Sequence, residues 1–151
     1  MSENCFICDK HQGKLKTAGV TIYEDEYVYV GHIDSNGEPN YLGHLMIDLK
    51  RHVPSLGDMN QSEASAFGVA MARISKALKE SENAEHIYAV VSGNSVKHVH
   101  MHIIPRYPNT PKEFWAPFAV YDAPNARMGD EEEVVSLCER IKTYLENNPY
   151  E

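Results

Sequence analysis

The stretch Lys97-His98-Val99-His100-Met101-His102-Ile103-Ile104-Pro105 alternates polar and apolar residues, and no other segment constrains the chain so tightly. Side chains on an extended strand point to opposite faces by turns. The register therefore predicts a strand over about 96–104, with His98, His100 and His102 on one face and Val99, Met101 and Ile103 on the other. Next-but-one rings lie about 6.5–7 Å apart at the strand rise. Each buried imidazole needs partners for two nitrogens, and burial disfavours its charged form. Besides a solvated face, two chemistries suit such a row. His-x-His can hold a catalytic metal. Alternatively, one imidazole can act as a nucleophile while its neighbours orient it and donate to an anion.

The flanking sequence supplies a sheet for this strand. Val20-Thr21-Ile22-Tyr23 and Tyr27-Val28-Tyr29-Val30 are β-branched and aromatic around an acidic turn, and read as a hairpin. Leu42 to Leu49 and Ile87 to Val91 read as further strands. Between them Phe67, Met71, Ile74 and Leu78 recur at helical spacing after possible caps at Asn60 to Glu63. A second helix is expected from Asp130 to Glu146, with Val134, Leu137, Ile141 and Leu145 as its apolar stripe. Pro105, Pro108, Pro111, Pro117 and Pro124 predict irregular chain over 105–125. The fold class expected is α+β: an antiparallel sheet of about five strands with one inserted helix and one C-terminal helix, in a single domain over 1–151.

Charge and composition narrow the function. Lys plus Arg number 14 against 22 Asp plus Glu, a formal charge of -8. Such a chain is a poor partner for a nucleic-acid backbone or an anionic membrane, although a local pocket can still hold a small anion. No apolar run approaches the roughly 20 residues needed to span a bilayer. The polar N-terminus carries no signal-peptide core, so a cytosolic protein is expected. Three cysteines make no disulfide framework there, and the close pair Cys5/Cys8 is open between metal and redox chemistry. Cys138, in the second helix, reads as a buried structural thiol.

His98-Val99-His100-Met101-His102-Ile103-Ile104 resembles the pattern of the histidine triad family, His-φ-His-φ-His-φ-φ with φ apolar. Asn94-Ser95-Val96-Lys97, Cys5-Phe6-Ile7-Cys8 and Gly43-His44-Leu45-Met46-Ile47 are similar to that family's corresponding segments, so the resemblance spans about 5–107. It implies a nucleotide hydrolase or transferase that cleaves a nucleoside monophosphate, with AMP expected, from a phosphoramidate, a dinucleoside polyphosphate or a similar conjugate. The middle histidine, His100, would attack the α-phosphorus and carry the nucleotidyl group until water removes it. His98 would lend its carbonyl to orient His100, and His102 would donate to a phosphate oxygen. Gly93, Asn94 and Ser95 would stabilise charge developing on phosphorus. A catalytic metal is not required in this scheme. The resemblance also implies a homodimer whose sheets join. A regulatory nucleotide-binding module and a zinc-dependent hydrolase with metal on the triad are the other readings.

The same resemblance extends to a structural zinc held by Cys5, Cys8, His52 and His98, a closed Cys2His2 set. For the nucleoside it points to His32 and Ile33. Where relatives place an Asp or Asn on the ribose hydroxyls this chain has His32, with Asp34 close by. Phe6, Ile7 and Ile33 are candidates for an apolar base slot. Phe114-Trp115-Ala116-Pro117-Phe118 is expected either to fold over the pocket or to pack under its own loop.

Overall fold

The computed structural model describes residues 5–15 and 20–150. Residues 1–4, on which the cytosolic expectation leans, lie outside the described residues, as do 16–19 and 151. In chain order the elements are α1 (Phe6–His11), β1 (Thr21–Glu24), β2 (Val28–His32), β3 (Asn40–Tyr41), β4 (Leu45–Leu49), α2 (Gln61–Glu82), β5 (His86–Val90), β6 (His100–Arg106), β7 (Met128–Gly129) and α3 (Glu131–Asn147). Five strands form one antiparallel sheet in the order β1-β2-β4-β6-β5, and β3 pairs with β7 in a two-stranded ribbon. The expected α+β architecture is present.

Strand alternation sorts the sheet into two faces. Val28 and Val30 of β2, Leu45, Ile47 and Leu49 of β4 and Ile103 of β6 are buried in one core with Phe67, Ile74 and Leu78 of α2 and Val134, Leu137, Ile141 and Leu145 of α3. Both helical stripes expected from sequence are therefore used, with Met71 partly buried beside them. Each helix starts with a capping box, Asn60 with Glu63 and Asp130 with Glu133, which satisfies donors that a helix start leaves orphaned. Glu82, at the end of α2, is buried and receives both Arg127 (2.9 Å) and Arg140 (2.8 Å), tying α2, the approach to α3 and α3 together.

Three features differ from the sequence expectation. The triad strand starts at His100, and His98 lies in a bend ahead of it. Its partner β4 ends at Leu49, so the ladder dissolves there. Leu49 N–H still donates to the Val99 carbonyl (3.2 Å), but Val99 N–H turns to Val53 (2.8 Å). At the other end β6 runs through Pro105 to Arg106. The Arg106 carbonyl accepts from Glu85 N–H on the β5 side (2.7 Å), and the Pro105 carbonyl accepts from the Tyr41 hydroxyl on the other side (2.7 Å). The missing N–H of Pro105 thus points past the last β4 pair, Leu45↔Ile103, where no ladder bond is lost. The third difference is α1, a six-residue helix that the sequence reading left out. Its N-cap Cys5 accepts the Cys8 N–H through Sγ (3.4 Å).

Candidate active site

The face away from the two long helices carries the polar chemistry. Cross-strand register puts Asp48 of β4 opposite His100 and Met46 opposite His102, with Tyr29 and Gly31 of β2 next in the same rows. The rings of His100 and His102 lie 5.3 Å apart. His98, turned away into the cysteine cluster, is 1% exposed.

Carbonyl oxygens only accept hydrogen bonds, so they fix imidazole tautomers. The ring of His98 donates from Nε2–H to the Leu49 carbonyl (2.6 Å), which leaves the lone pair on Nδ1. That Nδ1 lies 3.4 Å from both Cys5 Sγ and Cys8 Sγ. For His100 the arrangement is reversed. Nδ1–H donates to the His98 carbonyl (2.7 Å), so the lone pair sits on Nε2. Two neighbouring histidines thus present opposite nitrogens as bases.

His44 and Tyr121 complete the site, and the sequence reading named neither as a functional residue. Nε2 of His44 is 2.9 Å from Nδ1 of His102, and Nδ1 of His44 bonds the Tyr121 hydroxyl. Burial, with the neighbouring His102 and His32 adding to it, pushes His44 down to about 3, so it is neutral near pH 7. Burial followed by the nearby His100 also lowers His102. The legible signal for His44 was its place one step ahead of β4, beside the triad strand. Tyr121 carried no signal, because it comes from the Pro-rich segment by a tertiary contact.

Asp48 is buried opposite the nucleophile candidate and is held by Lys10 (2.5 Å) and His11 (3.2 Å) from α1, all through one carboxylate oxygen. Burial alone would raise its carboxyl, but the His11 hydrogen bond and the Lys10 charge leave it below the ordinary value. These contacts seat α1 on the sheet and bring Cys5 and Cys8 to His98.

The ligand atoms of Cys5, Cys8, His52 and His98 all lie within 4.8 Å of one another. Three sulfur to nitrogen separations are 3.4 Å: Cys5 to His98, Cys8 to His98 and Cys8 to His52. A tetrahedral zinc with ordinary bond lengths has a sulfur to nitrogen edge of about 3.6 Å. The donor set therefore fits zinc in both chemistry and spacing. His98 already has its remote N–H anchored on Leu49, as metal-bound histidines commonly do. Among the described residues this cluster takes His98 but neither His100 nor His102.

The other sequence-derived candidates are spread out. Asn94 and Ser95 are exposed on the loop before the triad, and Gly93 there has φ +66°. A cavity of about 390 Å³ lies between this loop and Pro54 to Gly57, and His100 lines it. His32 is buried on the helix side of β2. Its Nδ1–H donates to the Ile33 carbonyl (2.9 Å), and its Nε2 accepts Gly43 N–H (3.0 Å). Both nitrogens are used inside the chain, so the ring offers none to a ribose. Ile33 is half-buried beside His44, whose carbonyl accepts its N–H (3.0 Å). Asp34 accepts the Asn36 N–H (2.9 Å). Ile7 is buried with Cys5 and Cys8 against the half-buried Val96, while Phe6 on the same helix is exposed. Those two sit at the opposite end of the β2–β4 pair from Ile33, so the three do not form one slot. Phe118 lies edge-on to His102 (5.5 Å) and Trp115 stacks under Arg106 (3.8 Å), which places this aromatic segment beside the triad.

Comparison with known proteins bears on the family and the fold. The HIT domain family matches residues 14–109. A Bacillus subtilis relative described as protein hit is 31% identical over 111 residues, covering 70% of this chain and 73% of its own. A Dictyostelium discoideum bis(5'-adenosyl)-triphosphatase is 34% identical over 76 residues, 47% of this chain and 51% of that protein. The crystal structure of a zinc-bound histidine triad family protein from Mycobacterium smegmatis superposes with a TM-score of 0.71 at 22% identity, covering 95% of this chain and 96% of that one.

Proposed function

Since the chain belongs to the HIT domain family, we propose that it is a nucleotide hydrolase or transferase that releases a nucleoside monophosphate through a nucleotidyl-His100 intermediate. One observation carries the reading. The proton of His100 is committed to the His98 carbonyl, so Nε2 is a free base next to His102. Neutral imidazole is a competent nucleophile near pH 7.

In the proposed reaction Nε2 of His100 bonds to the α-phosphorus, and the bond from phosphorus to the leaving group breaks. His102 donates to a phosphate oxygen and limits the charge that builds there. Gly93, Asn94 and Ser95 offer further donors from the exposed loop. Water then cleaves the bond between phosphorus and nitrogen, releasing the nucleoside monophosphate and restoring His100. The substrate class is a phosphoramidate, a dinucleoside polyphosphate or a similar conjugate. AMP is the expected product, in keeping with the adenosine-specific name of the Dictyostelium relative. Ile33 supplies an apolar contact for the nucleoside.

Zinc on Cys5, Cys8, His52 and His98 serves structure in this scheme, pinning α1 to the sheet, and no step passes through it. The two edge strands, β1 and β5, leave the sheet open for pairing with a second copy, which suits a homodimer. None of the described cysteines is disulfide-bonded, which leaves Cys5 and Cys8 available to the metal. Among the described residues no helix is long and apolar enough to cross a membrane.

The test is incubation with adenosine 5'-phosphoramidate, followed by mass analysis of the peptide that contains His100. An AMP adduct on that residue, absent from His100→Ala, is expected. Wild-type turnover by His100→Ala overturns the reading.

A further inference from the structure

The segment after residue 109 lies outside the matched family region, yet it delivers a side chain to the triad. Tyr121 sits in a 3-10 turn, Ala119–Asp122. Its ring stacks on Tyr41 with centroids 5.0 Å apart, and its hydroxyl meets Nδ1 of His44. His44 in turn meets His102 through Nε2 and Nδ1 (2.9 Å). Phe118, from the same segment, lies edge-on to both imidazoles, 6.1 Å from His44 and 5.5 Å from His102.

These three side chains form an unbranched chain, and each neutral imidazole in it has one N–H. Proton placement can run in two directions. If the Tyr121 hydroxyl donates to Nδ1 of His44, then His44 carries its proton on Nε2 and donates it to Nδ1 of His102. The proton of His102 is then on Nε2, the nitrogen that His44 does not engage. In the opposite direction His102 is protonated on Nδ1, and the Tyr121 hydroxyl hydrogen has no acceptor among the described residues. Tyr121 is half-buried, and leaving its donor unpaired there costs more than the fully paired arrangement, so the first direction prevails. Burial also raises Tyr121 above the ordinary tyrosine value and holds His44 neutral, so neither end of the chain ionises near pH 7.

We propose that Tyr121 is a positioning residue for the triad: through His44 it locks His102 as the Nε2–H tautomer, the form that donates a hydrogen bond to a bound phosphate. This rests on the reading of the triad as a phosphate-handling site. Without the lock His102 divides between two tautomers, one of which points a lone pair at an anion.

Imidazole nitrogen NMR on the full, zinc-loaded chain near neutral pH tests the assignment directly. The wild type is expected to show Nε2–H for both His44 and His102. Tyr121→Phe keeps the ring that stacks on Tyr41 and removes only the hydroxyl. It is expected to give mixed tautomers at His44 and His102 and to lower kcat on adenosine 5'-phosphoramidate by about tenfold, with KM changed by less than about threefold. A wild-type His102 protonated on Nδ1 overturns the proposal even if the variant does not fold, and so does a folded Tyr121→Phe with wild-type tautomers. Expected tautomers in a wild type that turns over no adenylated substrate uphold Tyr121 as the lock and instead sink the hydrolase reading.

Discussion

Nδ1 of His100 lies 2.7 Å from the backbone carbonyl of His98, so the residue whose ring enters the cysteine cluster also fixes its neighbour's proton through the main chain. This separates two duties of His98. Its ring serves the metal cluster, and its carbonyl serves His100.

His98→Ala keeps that carbonyl. Its damage should therefore follow from zinc loss alone and match that of Cys5→Ser. Zinc per protomer, by elemental analysis, is expected to drop to near zero in both variants, with turnover falling by similar factors and no further loss in the double variant. Turnover in His98→Ala far below that of Cys5→Ser at equal zinc content would show that the ring takes part in the chemistry.

Removing zinc with a chelator should destabilise the fold by ~3 kcal/mol or more, because ligands brought together by folding convert metal affinity into stability. Calorimetry should show a lower Tm that added zinc restores. An unchanged Tm after complete extraction contradicts a structural metal.

Gly43 has φ +91°, and a Cβ there would lie 2.5 Å from the Tyr107 hydroxyl and 2.9 Å from Pro105 Cγ. Gly43→Ala should cost about 3 kcal/mol from clash and backbone strain together. Gly37→Ala is the control. It has φ +90° with nothing within 4 Å of the added carbon, and should cost about 1 kcal/mol. Urea midpoints of the two variants decide the point, and equal values would refute the steric account.

Burial opposes ionisation of Glu82, but Arg140 and Arg127 more than offset it and hold the carboxyl below its ordinary value. Its contribution to stability is thus complete above the ordinary carboxylate value and is lost as pH falls through the lower folded one. Glu82→Gln should cost about 3 kcal/mol at neutral pH. It should also flatten the acid limb of a plot of stability against pH, which urea titrations at several pH values can read.

His44 shows the same direction of pH dependence for a different reason. Burial lowers it from 6.5 to about 3. The unfolded chain gains a proton there below about pH 6.5 while the folded chain does not. Stability should therefore start to fall as pH drops below 6.5, above the carboxylate range. A stability profile flat from pH 7 to 5 would mean that His44 is protonated in the folded protein.

What could be read from the sequence follows from periodicity. The apolar stripes of α2 and α3 and the His-x-His alternation of β6 are local patterns, and local patterns survive folding. His98 was misplaced onto the strand because the end of a ladder depends on where its partner strand leaves, and β4 leaves at Leu49. The ribose expectation for His32 failed to anticipate Gly43, whose N–H takes up its second nitrogen from 11 residues away. Cys5, Cys8, His52 and His98 were gathered by resemblance, and only the fold brought their ligand atoms within 4.8 Å. Tyr121 lies 77 residues from His44, and no local pattern encodes such a contact.

The short ribbon between β3 and β7 bears on how this chain can be divided. It clasps the segment leading into Gly43 and His44 to residues 128 and 129, well past the family match that ends at 109. A fragment trimmed to the recognisable portion would keep all three triad histidines yet lose the buttress behind them. The stretch that declares ancestry is therefore shorter than the stretch that must be inherited together.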